Sequence, residues 1–224
     1  QELTNAKVAE GQKIAIMPDV HAGKGCVIGT VMTVGDRIVP NQIGLDIGCG
    51  VYGYKVGEKD FEIDFEKLQR VIDKYIPSGR NVHQDTTPGF KVPIFKGKFI
   101  MPVSEDQSDY FYRSIGTLGG GNHFISVEVG ESGTYLLIHS GSRNLGVMVA
   151  KHYQELAVKN LKKADNSKLI ADLKAAGREK EIAAELKKVA KPESTDLAYL
   201  EGEDTKNYLK DMATAQTYAH LNRA

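Results

Sequence analysis

The heptapeptide Gly44-Leu45-Asp46-Ile47-Gly48-Cys49-Gly50 sets a carboxylate and a thiol three residues apart between glycines. Glycine at that density lets the backbone bend tightly without a Cβ penalty. A tight bend turns Asp46 and Cys49 toward one point, as two metal ligands or as an acid beside a nucleophile. A buried turn whose cysteine only packs reads the same way in isolation, because free Cys behaves as a small hydrophobe. Two further segments carry imidazoles in similar company. Gly119-Gly120-Gly121-Asn122-His123-Phe124 leads a triple glycine into Asn-His. The apolar run Tyr135-Leu136-Leu137-Ile138 passes straight into His139-Ser140-Gly141-Ser142-Arg143. That strand end delivers an imidazole, two hydroxyls and a guanidinium. Arg suits bidentate contact with phosphate, and Ser hydroxyls and loop N–H groups suit the same anion. Asp19 and His21 alternate with apolar neighbours in the polar loop after Pro18 and share one side of an extended backbone. They can hold a metal, orient each other, or hydrogen-bond within the loop.

No pair has a diagnostic spacing by itself: HExxH, CxxC, P-loop and GxSxG patterns are all absent. Together, Asp46, Cys49, His123 and His139 make a mixed carboxylate, thiolate and imidazole set that suits a divalent transition ion. Thiolate can bridge two ions, so Cys49 can serve a dinuclear centre with Asp46 on one ion and a histidine on each. Arg143 and the serines would then hold a phosphate alongside. Metals beside a bound phosphate polarise it and activate an attacking hydroxyl. The chemistry indicated is phosphoryl or nucleotidyl transfer, with convergence of the segments inferred from composition rather than from periodicity.

The elements that must position these groups follow from patterning. Lys13–Met17, stopped by Pro18, and Cys26–Met32 read as strands, as do Val51–Val56, Ile125–Val129 and Tyr135–Ile138. Residues 61–76 show helical apolar spacing that ends before Pro77-Ser78-Gly79. Arg80–Gln107 lacks periodicity and reads as a long surface loop with a short strand at Lys98–Met101. Val147–Lys163, Leu169–Ala176, Glu179–Lys191 and Thr205–Asn222 read as helices, the middle two forming a charged hairpin over 164–191. The expected class is α+β: mixed sheets forming a metal-site core, a charged helical hairpin insertion and a further amphipathic helix. The expected division is a metal- and phosphate-binding core over 1–148 and a helical segment over 149–224, packed on or inserted into the same catalytic domain.

Composition narrows the classes. Lys+Arg and Asp+Glu both number 29, so no global basic field draws the chain to nucleic acid and any such site must be local. Absence of an 18-residue apolar run or a signal-peptide pattern gives a cytoplasmic, non-membrane reading. Two cysteines, Cys26 and Cys49, exclude a disulfide-rich scaffold and leave ligation, catalysis or packing as their roles. A start at Gln1 without Met, and an end at Asn222-Arg223-Ala224 inside a helical pattern, suggest a piece truncated at both ends.

Four motifs in one order carry a family resemblance: Met17-Pro18-Asp19-Val20-His21-Ala22-Gly23, the heptapeptide at 44–50, Gly121-Asn122-His123-Phe124, and His139-Ser140-Gly141-Ser142-Arg143-Asn144-Leu145-Gly146. With the closing Ala219-His220-Leu221-Asn222-Arg223, the chain resembles the RtcB family of RNA-splicing ligases over nearly its whole length. The resemblance implies a ligase dependent on GTP and two Mn2+ ions. It would join an RNA 3′-phosphate or 2′,3′-cyclic phosphate end to a 5′-hydroxyl end, in tRNA splicing or RNA repair. A histidine is first guanylylated, and the GMP then passes to the RNA 3′-phosphate. Asp46 resembles a ligand of one manganese, Cys49 the bridging thiolate, and His123 and His139 the imidazoles. Asn122, His123 and Phe124 resemble the guanylate side of the site, and Arg143 a contact to bound phosphate or RNA. Asp19 and His21 resemble part of the family's active-site loop. RNA ends are the implied partners, with an archease-like activator. Two departures stand out. No residue matches the family's nucleophilic histidine motif, so the fragment alone is expected to be inactive, and Ser126 occupies the position of a guanine-reading Glu. Two other readings remain open: a dinuclear-metal phosphodiesterase or phosphatase, and a non-catalytic fragment or paralogue that binds metal and nucleic acid.

Overall fold

The computed structural model describes residues 2–23, 25–85, 98–188 and 195–224. Its strands are β1 (Ile14–His21), β2 (Ile28–Met32), β3 (Arg37–Ile38), β4 (Gly50–Gly57), β5 (Phe124–Gly130), β6 (Gly133–Ser140) and β7 (Leu200–Glu201). Its helices are α1 (Glu2–Asn5), α2 (Pro40–Ile43), α3 (Phe65–Tyr75), α4 (Glu105–Ser114), α5 (Arg143–Ala175), α6 (Ile182–Lys188) and α7 (Glu203–Arg223). The class is α+β, and the paired strands among the described residues form three small antiparallel sheets. The chain divides into two compact units, one of residues up to Gly44 with Ala150–Tyr208, the other of Leu45–Val149 with Leu209–Ala224.

In the first unit, Leu3, Val8 and Val39 are buried together, with Ile14, Cys26, Met32 and Tyr199 packed around them. Cys26 is therefore a packing residue of this small core. Strand β1 pairs with β2, and β3 with β7. Pro18 does not end β1, which continues to His21 with irregular pairing after Ile16. In a two-stranded sheet each strand has an unpaired edge, where the missing proline N–H costs no ladder bond. Asp19 and His21 accordingly sit in a strand rather than in a loop.

Helix α5 runs unbroken through residues 164–168, where two helices had been expected. Asp165, Asn166 and Ser167 are weaker helix formers by only about 0.7 kcal/mol each at most, too little to break a long helix. It stops where Gly177 takes φ 69°, with Arg178 N–H donating to Leu173 O and Gly177 N–H to Lys174 O, a Schellman closure. A 3-10 turn at Glu179–Glu181 and α6 follow, and the end of the helix expected to reach Lys191 lies outside the described residues.

The second unit is organised by the sheet β4-β6-β5. Its central strand β6 sets His139 opposite Val51 on one side and Phe124 on the other. Helix α3 begins at Phe65 because the Asp64 side chain accepts the Lys67 N–H at 2.8 Å. Helix α4 begins in the last three residues of the stretch expected to be loop and runs on to Ser114. Its start is a capping box: Ser104 Oγ accepts from Gln107 N–H and Gln107 Oε1 accepts from Ser104 N–H. Lys98–Met101 is not a strand. The N–H groups of Ile100 and Met101 instead donate to the two oxygens of buried Asp211 on α7, at 2.8 and 2.9 Å. Residues 86–97 of the expected loop lie outside the described residues.

Candidate metal centre

Asp46 and Cys49 are held by a turn in which the Cys49 N–H donates to the Asp46 carbonyl at 3.3 Å. Gly48 takes φ 80° within it, and a Cβ there would lie 3.0 Å from the Ala219 Cβ of α7. Only glycine meets both conditions. The Asp46 carboxylate swings over Gly141, where it fills the space of an absent side chain, and its Oδ1 accepts the Ser142 N–H at 3.1 Å.

His123 stands immediately before β5 with its ring almost wholly buried, its side chain 6% exposed. Its Nδ1 lies 2.9 Å from the Leu118 carbonyl oxygen. A carbonyl only accepts, so Nδ1 must carry the proton and Nε2 is left to face the site. Nε2 lies 2.8 Å from Asp46 Oδ2 and 3.8 Å from Cys49 Sγ. On the other side of the sulfur, Cys49 Sγ is 3.0 Å from His139 Nε2. The Phe124 ring stacks on His139 with centroids 5.2 Å apart and planes at 17°, which limits the imidazole's rotation. The Cys49, His123 and His139 donor atoms all lie within 4.8 Å of one another.

The order of contacts is Asp46, His123, Cys49, His139, with sulfur between the two imidazoles. Carboxylate oxygen, thiol sulfur and an imidazole nitrogen lacking its proton bring lone pairs together, which repel unless a proton or a cation lies among them. Partial burial, and then the charge of Asp46, push the Cys49 thiol up to about 11, with Arg223 pulling the other way. A divalent cation reverses that balance, since a coordinating thiol gives up its proton. The donor set therefore fits a transition ion.

Arg143 opens α5 with φ 55°, unusual for a residue with a side chain. Its Nε donates to Thr117 Oγ1 at 3.0 Å and its Nη2 to the Gly79 carbonyl at 2.7 Å. Gly119 makes room for this guanidinium and for the His123 ring together. Burial lowers the Arg143 pKa from its ordinary value, which leaves the group a cation.

The family follows from comparison with known proteins. The model of the family described as tRNA-splicing ligase RtcB matches residues 2–92 and 91–224. The chain belongs to the RtcB family. It is 32% identical to RNA-splicing ligase RtcB of Escherichia coli (strain K12), over 94% of this chain and 50% of that protein. RNA-splicing ligase RtcB homolog 1 of Entamoeba dispar is 26% identical over 71% of this chain and 40% of that protein. This RtcB-family chain thus spans about half the length of the first of these curated relatives.

Asp46, Cys49, His123 and His139 come together in this RtcB-family chain, with Phe124 beside them. Asn122 is exposed next to His123, and Ser126 lies on β5 with its buried Oγ unpaired. Asp19 and His21 belong to the first unit, where His21 Nδ1 bonds the Asp19 backbone carbonyl at 2.7 Å. Two residues at the closing motif carry more than sequence reasoning gave them. Asn222 is buried, accepts from the Gly116 and Thr117 N–H groups, and donates to Thr117 O, Ser140 Oγ and Gly141 O. Arg223 Nη1 donates to the carbonyls of Gly48 and Ser140. The available signal was an amide in line with Tyr208, Ala215 and Ala219, a helix side that also carries Asp211. Among the described residues no helix is long and apolar enough to cross a membrane.

Proposed function

We propose that this chain is the metal-binding part of an RNA ligase that joins RNA 3′-phosphate or 2′,3′-cyclic phosphate ends to 5′-hydroxyl ends, with GTP as the activating nucleotide. Asp46 and His123 would hold one Mn2+ and His139 a second, with the Cys49 thiolate as the ligand shared by both. Such ions supply charge that polarises a bound phosphate and lowers the pKa of an attacking hydroxyl. The chain's own residues bind and orient. The Leu118 carbonyl fixes the His123 tautomer, Phe124 fixes the His139 ring, and the Ser142 N–H fixes Asp46. Arg143, tied to Thr117 and Gly79, contributes positive charge beside the centre for the RNA phosphate, and Asn122 contributes a polar contact on the guanylate side.

The observation that carries this reading is the sulfur of Cys49 lying between two imidazole nitrogens, one of them also against a carboxylate. It is tested by metal analysis after manganese loading. Wild type is expected to retain close to two ions, and Cys49→Ala to lose most of them. Equal metal content in the two proteins overturns the site. Hydrolysis without ligation is separated by incubating the protein with GTP and Mn2+ and looking for a covalent guanylate adduct. The chain of 224 residues is expected to give neither adduct nor joined RNA, because none of its six histidines matches the nucleophile motif.

A further inference from the structure

Arg223 stands next to the proposed metal centre without belonging to it, and its contacts are selective. Its Nη1 donates to the Gly48 carbonyl at 2.6 Å and to the Ser140 carbonyl at 2.8 Å. Gly48 precedes Cys49, and Ser140 follows His139. The guanidinium also lies over Gly50, where an added Cβ would be 3.6 Å from its central carbon and from Nη2. One planar cation thus touches both neighbours of Cys49 and the near neighbour of His139. Gly50 and Ser140 are directly opposite in the β4–β6 ladder, and Val51 and His139 are the next pair. The clamp therefore sits where the turn bearing the thiol joins the strand pair bearing the imidazole.

We infer that Arg223 is a positioning residue for metal binding: it fixes the spacing of Cys49 Sγ and His139 Nε2 by bridging the backbone carbonyls beside them. The inference rests on the metal-site reading above. The 3.0 Å contact of sulfur with nitrogen joins two segments 90 residues apart. The β4–β6 ladder, the Ser142 N–H on Asp46 and this side chain hold the turn against the end of β6, and only the last of these grips the carbonyls beside both Cys49 and His139 among the described residues. A guanidinium suits the task because its donors are coplanar and its charge does not titrate away. Arg223 also offsets part of the negative field of Asp46 at the thiol. Lysine can reach one carbonyl but brings no flat face for Gly50 and no fixed fork, and methionine brings no donor.

The test uses Co2+ as a spectroscopic probe on the 224-residue chain, reading the near-ultraviolet thiolate-to-cobalt charge-transfer band alongside affinity. Wild type is expected to show the band, and Cys49→Ala to lack it. Arg223→Met is expected to lower Co2+ affinity by about 10- to 100-fold, the range for partners that orient ligands, and to weaken the band per bound ion. Arg223→Lys should recover part of both. Far-ultraviolet circular dichroism monitors folding, and if Arg223→Met does not fold then Arg223→Lys decides. If both variants bind Co2+ as wild type does, with the same band, the inference fails and the metal site stands. Loss of folding in both makes Arg223 a general support of the unit and also overturns it. A wild-type chain without a thiolate band removes the metal-site reading itself.

Discussion

Replacing Asn222 by Ala should destabilise the second unit more than any single change at the proposed ligands. The side chain makes five hydrogen bonds, all within a buried patch. Alanine leaves the N–H groups of Gly116 and Thr117 without an acceptor, at roughly 1–3 kcal/mol each. The carbonyls of Thr117 and Gly141 lose a donor, a smaller cost because carbonyls tolerate incomplete pairing better. Ser140 Oγ keeps its bond to the Leu118 carbonyl and so contributes little. The expected total is about 3–5 kcal/mol, roughly a 6–20 °C fall in melting temperature for a chain of this size. Melting followed by circular dichroism measures the total. Amide hydrogen exchange localises it, with faster exchange at Gly116 and Thr117 as the specific sign. A loss below about 1 kcal/mol, or unchanged protection of those two amides, would refute the hydrogen-bond accounting.

In metal-free protein Cys49 should alkylate slowly at pH 8, because its pKa is displaced from 9.0 to about 11. The thiolate fraction falls roughly 100-fold while intrinsic nucleophilicity rises about 10-fold, leaving a rate about 10-fold below an unshifted thiol. Iodoacetamide labelling followed by mass spectrometry measures it, and a rate equal to that of a cysteine peptide contradicts the prediction. Gly141→Ala places a methyl group on the Asp46 carboxylate and should cost about 10-fold in metal affinity, with about 1–3 kcal/mol of stability. Unchanged affinity by titration with Mn2+ would show that Asp46 relocates without consequence.

How much of this was legible in the sequence varies with the physical scale involved. The strands of the second unit read correctly, β4 and β5 because half-buried strands alternate and β6 because it is a short continuous apolar run, and all three match the patterned runs to within two residues at each end. That Asp46, Cys49, His123 and His139 would come together was legible from residue type, since few structural roles gather a carboxylate, a thiol and two imidazoles in glycine-rich company. Helix α4 was missed although Ser104-Glu105-Asp106-Gln107 spells its capping box, because its apolar spacing is sparse. The strand proposed at Lys98–Met101 failed for a reason that local sequence does not contain: its N–H groups bond to Asp211, 110 residues away. The same holds for the bonds of Asn222 and Arg223, whose partners are backbone groups and the Ser140 hydroxyl, all more than 80 residues away.

The placement of His139 opposite both Val51 and Phe124 has a consequence for assembly. Side chains alternate faces along a strand, so a one-residue slip of β6 against either neighbour would send the imidazole to the opposite face. An ion gripped by Cys49 and His139 would therefore recognise the native pairing alone. At 100 times its dissociation constant such an ion favours that pairing by about 2.7 kcal/mol over every slipped alternative. The ion would then act as a selector among sheet alignments while the chain folds, and its uptake would count the molecules that had zipped correctly.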